Sequence, residues 1–263
     1  MIRVQGLSKT FGNLKVIDDL SLTCSKGEIT AIIGGSGGGK STFLKMLVGA
    51  VKPDSGEIWV DGSPIHALED LALNDVRRKM GVLFQQAALF KSITVAENVA
   101  LPLVENTDLD ESVVAIIVKM KLDQVGLSDF DQYLPSQLSS GMQRLVGLAR
   151  AIALDPKIVL YDAPTAGLDP IAASAISKLI KDLNQVLGIT SILVTHDIMG
   201  AVEIADHMAL MYQGRILHQG SPEELLASPE PSVRQFMHGD PDGPIQFRKS
   251  REEYEKALFE EAQ

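Results

Sequence analysis

Short β-like runs alternate with turns through residues 1–33. Ile2 to Leu7 is followed by a break at Phe11-Gly12-Asn13, Ile17 to Leu22 by Lys26-Gly27, and then comes Ile29-Thr30-Ala31-Ile32-Ile33. That last run is mostly β-branched and apolar but for Thr30, the pattern of a parallel strand buried on both faces, so the simplest reading is an antiparallel apron ahead of a parallel core. Phe43, Leu44, Met46, Leu47 and Val48 then predict a helix that stops at Gly49. Pro53-Asp54-Ser55-Gly56 predicts a turn, Glu57 to Val60 a strand, and Asp61-Gly62 a second turn. Val82-Leu83-Phe84 predicts a buried strand ending at Gln85. From about Gln86 to Leu154 the pattern is mainly helical, with Thr94 as an N-cap and a helix through Val113 to Val125.

The period then changes back. Ile158 to Tyr161 predicts a strand that delivers Asp162 at its C-terminal end, and Ser191 to Val194 another that delivers Thr195-His196-Asp197. Between them Asp169 caps and Pro170 opens a helix with an Ala175, Ile176, Leu179, Ile180, Leu183 stripe, closed by Gly188. Met208 to Tyr212, Gln213-Gly214 and Arg215 to Leu217 predict a hairpin, and Ser221-Pro222-Glu223-Glu224 a capping box. Beyond Pro229 the chain is rich in Pro and Gly as far as Phe247 and strongly charged after it; this tail is either a docking arm or disorder, and composition favours disorder.

Composition narrows the partners. A formal charge of −10 argues against nucleic acid and against unaided adsorption to an anionic membrane. The single cysteine, Cys24, excludes an intramolecular disulfide, which makes a reducing compartment the expectation. No apolar run approaches the roughly 18 to 20 residues of a membrane span, and the N-terminus has no signal-peptide pattern. Any action on a membrane is therefore expected to run through a partner.

The strongest chemistry lies between the third strand and the first helix. Gly34-Gly35-Ser36-Gly37-Gly38-Gly39-Lys40-Ser41-Thr42 matches G-x-x-x-x-G-K-[ST], the Walker A loop, in its required strand–loop–helix setting. Glycines let backbone N–H groups turn inward around a β-phosphate and the helix N-terminus adds positive potential. Lys40 reaches the β/γ-phosphates, and Ser41 ligates Mg²⁺. Asp162, at the end of an apolar strand, is placed to hold Mg²⁺ through water opposite Ser41; the alternative is a strand-end cap of the next turn. Ser139 and Ser140, within Leu138-Ser139-Ser140-Gly141-Met142-Gln143-Arg144, form a capped helix start, a weak signal alone but an anion site in company.

Phe11, the Gly34–Thr42 loop, Gln85, Leu138 to Arg144, Asp162, Ala166-Gly167-Leu168-Asp169 and His196 resemble the A-loop aromatic, Walker A, Q-loop, signature, Walker B, D-loop and H-switch of an ABC transporter ATPase, in order, over residues 1–228. The resemblance implies an α/β P-loop NTPase fold with a RecA-like core, an antiparallel β apron and a helical subdomain. The implied domains are 1–230, with the helical part at about 86–154 inserted in the core, and a C-terminal extension at 231–263. It implies ATP and Mg²⁺ as ligands and a head-to-tail pair of identical copies. In that pair Ser139 and Gly141, with Ser140 between them, grip the γ-phosphate of the opposite copy's nucleotide. Gly34, Ser36, Gly37, Gly38, Gly39, Lys40, Ser41, Thr42 and Asp169 line the nucleotide, Ser41, Gln85 and Asp162 the metal. Phe11 stacks on adenine, the alternative being a loop aromatic that fills the apron core. Gln85 contacts metal and attacking water, and His196 the γ-phosphate. His66, His207, His218 and His238 have no comparable setting.

Two positions depart from the family pattern. Ala163 stands where the family has the Glu that polarises the attacking water, so binding of Mg-ATP with very slow or no hydrolysis is expected. With the other site residues in place, a substitution introduced to trap the ATP-bound state is favoured over a naturally inactive copy. Ser140 stands where Gly is usual and either crowds the nucleotide or adds a hydrogen bond.

A narrower resemblance lies in Gly81 to Phe90 through Leu101-Pro102-Leu103, in Gly167 to Ile171, in Val233-Arg234-Gln235-Phe236 and in Asp242 to Phe247. These stretches resemble the ATPase of Mla/Mce-type phospholipid transporters. The implied partners are membrane permease subunits, a substrate-binding MCE protein and a small STAS-domain protein, with the chain peripheral on the cytoplasmic face of the inner membrane. The tail, through Phe236 and Phe247, is expected to reach the neighbouring ATPase. The competing readings are a polar-solute importer such as one for amino acids, a soluble ABC ATPase of translation or DNA repair, and a non-hydrolytic ATP-gated clamp.

Overall fold

The computed structural model describes residues 1–245. β1 (Ile2–Phe11) lies between β2 (Leu14–Cys24) and β4 (Ser55–Val60), antiparallel to both, and the short β5 (Ser63–Pro64) completes a four-stranded sheet. This is the expected apron. The core sheet has the order β10-β9-β3-β8-β7-β6, built from β3 (Ile29–Ile33), β6 (Met80–Leu83), β7 (Ile158–Asp162), β8 (Thr190–Thr195), β9 (His207–Tyr212) and β10 (Arg215–Gly220). All its neighbours are parallel except the β9–β10 hairpin.

Period two explains why β3 is buried throughout. Ile29, Ala31 and Ile33 enter one buried cluster and Ile32 the other, on the opposite face; Val159 and Tyr161 against Ile158 and Leu160 divide β7 the same way. The first cluster lies under the helical layer. The second is closed by the apron together with α1 (Lys40–Leu47) and α2 (Asp70–Arg77).

The helical layer contains α3 (Val95–Asn106), α4 (Glu111–Gln124) and α5 (Ser140–Ala151), with a single 3₁₀ turn at Pro135–Gln137. Thr94 caps α3 as expected: its hydroxyl accepts from Glu97 N at 3.2 Å while its own N–H donates to Glu97 at 2.7 Å. Asp169 caps α6 (Pro170–Leu187) by accepting from the N–H groups of Ile171 and Ala172, and Gly188 ends it at φ 63°. Ser221 opens α8 (Pro222–Leu226) after α7 (Ile198–Ile204). Cys24 is a buried strand residue whose thiol is pushed up to about 11 by burial.

Three helices, α2, α7 and α9 (Pro231–His238), add to what the pattern predicts. α7 is short, and its cap Asp197, which accepts from Gly200 N at 3.0 Å, belongs to the triplet that the sequence assigns to a strand end. α9 corrects the reading of the tail as disorder up to Ile245. Glu230 caps it, Pro231 occupies its first turn, Gly239 ends it at φ 69°, and Val233 and Met237 are buried in the core cluster of their own chain. The Gln235 side-chain amide then holds Ile245, its Oε1 accepting from Ile245 N at 2.7 Å and its Nε2 donating to Ile245 O at 2.9 Å. A composition average dilutes such punctuation, which occupies single positions. Phe236 packs, partly buried, against that same core; Phe247 lies outside the described residues.

Candidate functional site

Parallel strands in level register bring their C-terminal ends to one edge of the sheet. Ile33 pairs with Thr195, Val194 with Asp162, and Tyr161 with Leu83. The segments after β3, β6, β7 and β8, carrying Gly34–Thr42, Gln85, Ala163–Asp169 and His196, therefore leave the sheet side by side.

Backbone contact or a positive φ dictates Gly34, Gly37 and Gly39 of the first loop. A Cβ on Gly34 would sit 2.2 Å from Met211 O and one on Gly39 2.6 Å from Val16 O, while Gly37 and Gly39 have φ of 76° and 96°. No side chain caps α1, so its first-turn N–H groups are left for an outside acceptor. Lys40 is half-buried, and its ammonium donates to Gly34 O and Gly35 O, both at 2.8 Å. Burial lowers its proton affinity, and the Asp162 carboxylate acts in the opposite sense. Ser41 Oγ donates to Asp162 Oδ1 at 3.1 Å, a contact between residues 121 apart in sequence. A cation bound only by its own loop, open N–H groups and a hydroxyl–carboxylate pair fit a polyphosphate with a divalent metal.

The loop after β7 continues the ladder for one residue: Ala163 N donates to Val194 O at 2.8 Å, and buried Ala163 is held at φ 45°. A non-glycine residue in that region carries strain, and strain of this kind collects at functional turns. Thr165 Oγ1 donates to Asp197 at 3.3 Å and Asp197 N to Thr195 Oγ1 at 2.9 Å, which ties this loop to the segment of exposed His196.

Gln85 is exposed, and the loop beyond it turns through Ala87 and Ala88 at φ 57° and 47°. Both carbonyls are gripped by Arg150, at 2.6 and 2.9 Å. Arg144 donates to Phe84 O at 3.4 Å and to Ala166 O at 3.2 Å. The motif reading does not find this pair of arginines as loop anchors; the available signal is an arginine on the inward stripe of an otherwise apolar helix.

Phe11 is 48% exposed, which removes the alternative that it fills the apron core, and Lys9 Nζ lies 5.5 Å from its ring centre. Ser139 caps α5 by accepting from Met142 N at 3.2 Å. Ser140 is exposed beside it, and a Cβ on Gly141 would lie 3.8 Å from Ala172 Cβ at the start of α6. Among the described residues no hydrogen bond joins Ser139–Gly141 to Gly34–Thr42. One chain thus assembles the Lys40–Ser41–Asp162 group without a hydrogen bond to the Ser139 turn among the described residues.

The family model described as ABC transporter matches residues 17–166. The chain belongs to the ABC transporter family. Its RecA-like core, antiparallel apron and helical subdomain are those of the ABC ATPase cassette. Among curated ABC relatives, the intermembrane phospholipid transport system ATP-binding protein MlaF of Haemophilus influenzae is 44% identical over 99% of this chain and 98% of its own length. MlaF of Escherichia coli K12 is 43% identical over 98% and 96%. Among solved ABC structures, the dimeric post-hydrolysis state of the cassette MJ0796 bound to ADP and Pi superposes with TM-score 0.78 at 32% identity, covering 84% of this chain and 99% of that one.

Proposed function

We propose that this chain is the ATP-binding subunit of a phospholipid transporter, and that two copies pair head-to-tail around Mg-ATP. The observation that carries the reading is the Lys40 ammonium, half-buried and bound only by its own glycine loop, beside the Ser41–Asp162 pair. Near-full-length similarity to phospholipid transport ATP-binding proteins supports the cargo. Gly34, Ser36, Gly37, Gly38, Gly39 and Thr42 would wrap the phosphates with Lys40. Ser41, Asp162 and Gln85 would hold Mg²⁺, which supplies charge neutralisation between the β- and γ-phosphates. Phe11 would stack on adenine, and His196 and Asp169 would face the γ-phosphate end. Ser139, Ser140 and Gly141 would serve the opposite copy's nucleotide, a division of labour consistent with their making no hydrogen bond to the loop among the described residues.

The proposed setting is the cytoplasmic face of an inner membrane, against permease subunits, with an MCE protein and a STAS-domain protein as further partners. No helix among the described residues is long and apolar enough to cross a membrane, which supports a peripheral place in the assembly. The nucleotide-binding domain is assigned to residues 1–230, with the helical part near 86–154, and the extension to 231–263.

Hydrolysis requires a base for the water that attacks phosphorus. At position 163 this chain offers a methyl group, so turnover is proposed to be very slow or absent. This position also favours a second reading, a clamp that closes on ATP without hydrolysing it. Ala163→Glu separates the two: about a 10²–10⁴-fold rise in steady-state phosphate release is expected for the transport ATPase, and flat turnover supports the clamp. For the main proposal, the chain copurified from native membranes should bring down a polytopic permease and support phospholipid transfer between vesicles once position 163 carries Glu. Retention of a polar-solute permease instead would overturn the lipid assignment.

A further inference from the structure

Arg144 is the one arginine among the buried polar and charged residues of the described chain, at 7% exposure, and none of the ion pairs there includes it. A guanidinium removed from water without a carboxylate is unfavourable, and an apolar side chain would fill the same space without that penalty. Burial accordingly lowers its proton affinity. What it holds instead is backbone: Phe84 O, 60 residues back, and Ala166 O, 22 residues on. Phe84 immediately precedes Gln85, and its carbonyl also closes the following turn by accepting from Ala87 N at 2.8 Å. Ala166 lies midway between Ala163 and Asp169, in a turn whose N–H donates back to Ala163 O at 3.1 Å. The same helix begins at the Ser139–Gly141 turn.

We infer that Arg144 is a positioning residue that locks the Gln85 segment and the Ala163–Asp169 segment to α5 as one body. Because Gln85 and Asp169 would serve a copy's own nucleotide and the Ser139–Gly141 turn, at the start of the same helix as Arg144, its twin's, the lock couples the two half-sites of each copy; this last step rests on the function proposed above. A planar fork with donors on separate nitrogens reaches two carbonyls at once, which a single ammonium on a flexible stem does not do with fixed geometry. Arg150 is the internal contrast, since both of its bonds go to the Gln85 side, at Ala87 and Ala88.

The test compares Arg144→Lys, Arg144→Met and Arg150→Lys with the parent chain. Hydrogen exchange on the nucleotide-free protein reads the lock directly. Arg144→Lys should speed exchange of the Ala87 amide and of the Ala166 and Leu168 amides together, and Arg150→Lys only that of Ala87. Unchanged protection of Ala166 and Leu168 in both Arg144 variants overturns the inference whatever the protein does with nucleotide. With Mg-ATP, Arg144→Lys should keep single-copy ATP affinity within about twofold while weakening ATP-driven pairing, followed by sedimentation, at least about tenfold. Parallel losses in affinity, pairing and Tm would assign Arg144 a merely structural role and overturn it, as would pairing equal to the parent's. A parent chain that neither binds nor pairs with ATP would instead sink the proposed function, leaving the exchange result to decide the lock.

Discussion

Around the Gly34–Thr42 loop single residues are fixed by what their backbone touches. Gly39 has no room for a Cβ against Val16 O and sits at φ 96°; Gly56, in the apron, has none against Gly6 O at 2.4 Å and sits at φ 88°. Alanine at either position should cost about 1–3 kcal/mol in urea unfolding. Only at Gly39 should ATP affinity fall as well, because only there does the shifted backbone carry the N–H groups proposed to bind phosphate. Equal nucleotide affinity in the two variants would contradict the assignment of the loop. Ala163 shows the same logic in a residue with a side chain: its backbone is held by Val194 at a strained φ of 45°, so the direction of any side chain placed there is set by the fold. Ala163→Glu therefore places its acid in a direction that the backbone sets.

Elements are positioned by ties that sequence periodicity does not contain. The apron meets the core sheet where Asp18 of β2 accepts from Arg215 Nε of β10 at 2.6 Å and pairs with Lys15, while Asp18 N donates to Gly214 O at 3.0 Å. The hydrogen bonds from Lys15, then those from Arg215, hold the Asp18 carboxyl below its ordinary value of 3.8. A depressed folded-state pKa means the contribution is present above the ordinary value and is lost as pH falls through the lowered one. Asp18→Asn should therefore shrink the drop in Tm between about pH 6 and pH 3, measured by circular dichroism; an unaltered drop would show that the tie adds nothing. α5 is the corresponding tie on the other face, joined to the loops after β6 and β7 by Arg144 and Arg150. α9 is a third, since Val233 and Met237 make the start of the C-terminal extension part of the core.

For the whole molecule, the site is an edge of the sheet at which four segments end, so a ligand that bridges them stabilises the fold through binding to the native state alone. Mg-ATP at about 100 times its Kd should add roughly 2.7 kcal/mol to unfolding, visible as a higher Tm, and EDTA should remove most of that gain. An equal gain in EDTA would remove Ser41 and Asp162 from the metal site. How much of this architecture was legible beforehand divides by range. The buried strand Ile29–Ile33, the caps at Thr94, Asp169 and Ser221, and the glycine loop that opens a helix all follow from residues within a few positions of one another, and local sterics and capping suffice to specify them. The strand order that levels Ile33, Asp162 and Thr195, the meeting of Ser41 with Asp162, and the arginine anchors on Phe84 and Ala166 emerged only in three dimensions. Backbone carbonyls carry no sequence signature, and a buried guanidinium finds them by packing, so the chain alone determined which loops are the candidates for the chemistry and the tertiary structure decided which of them are bound together.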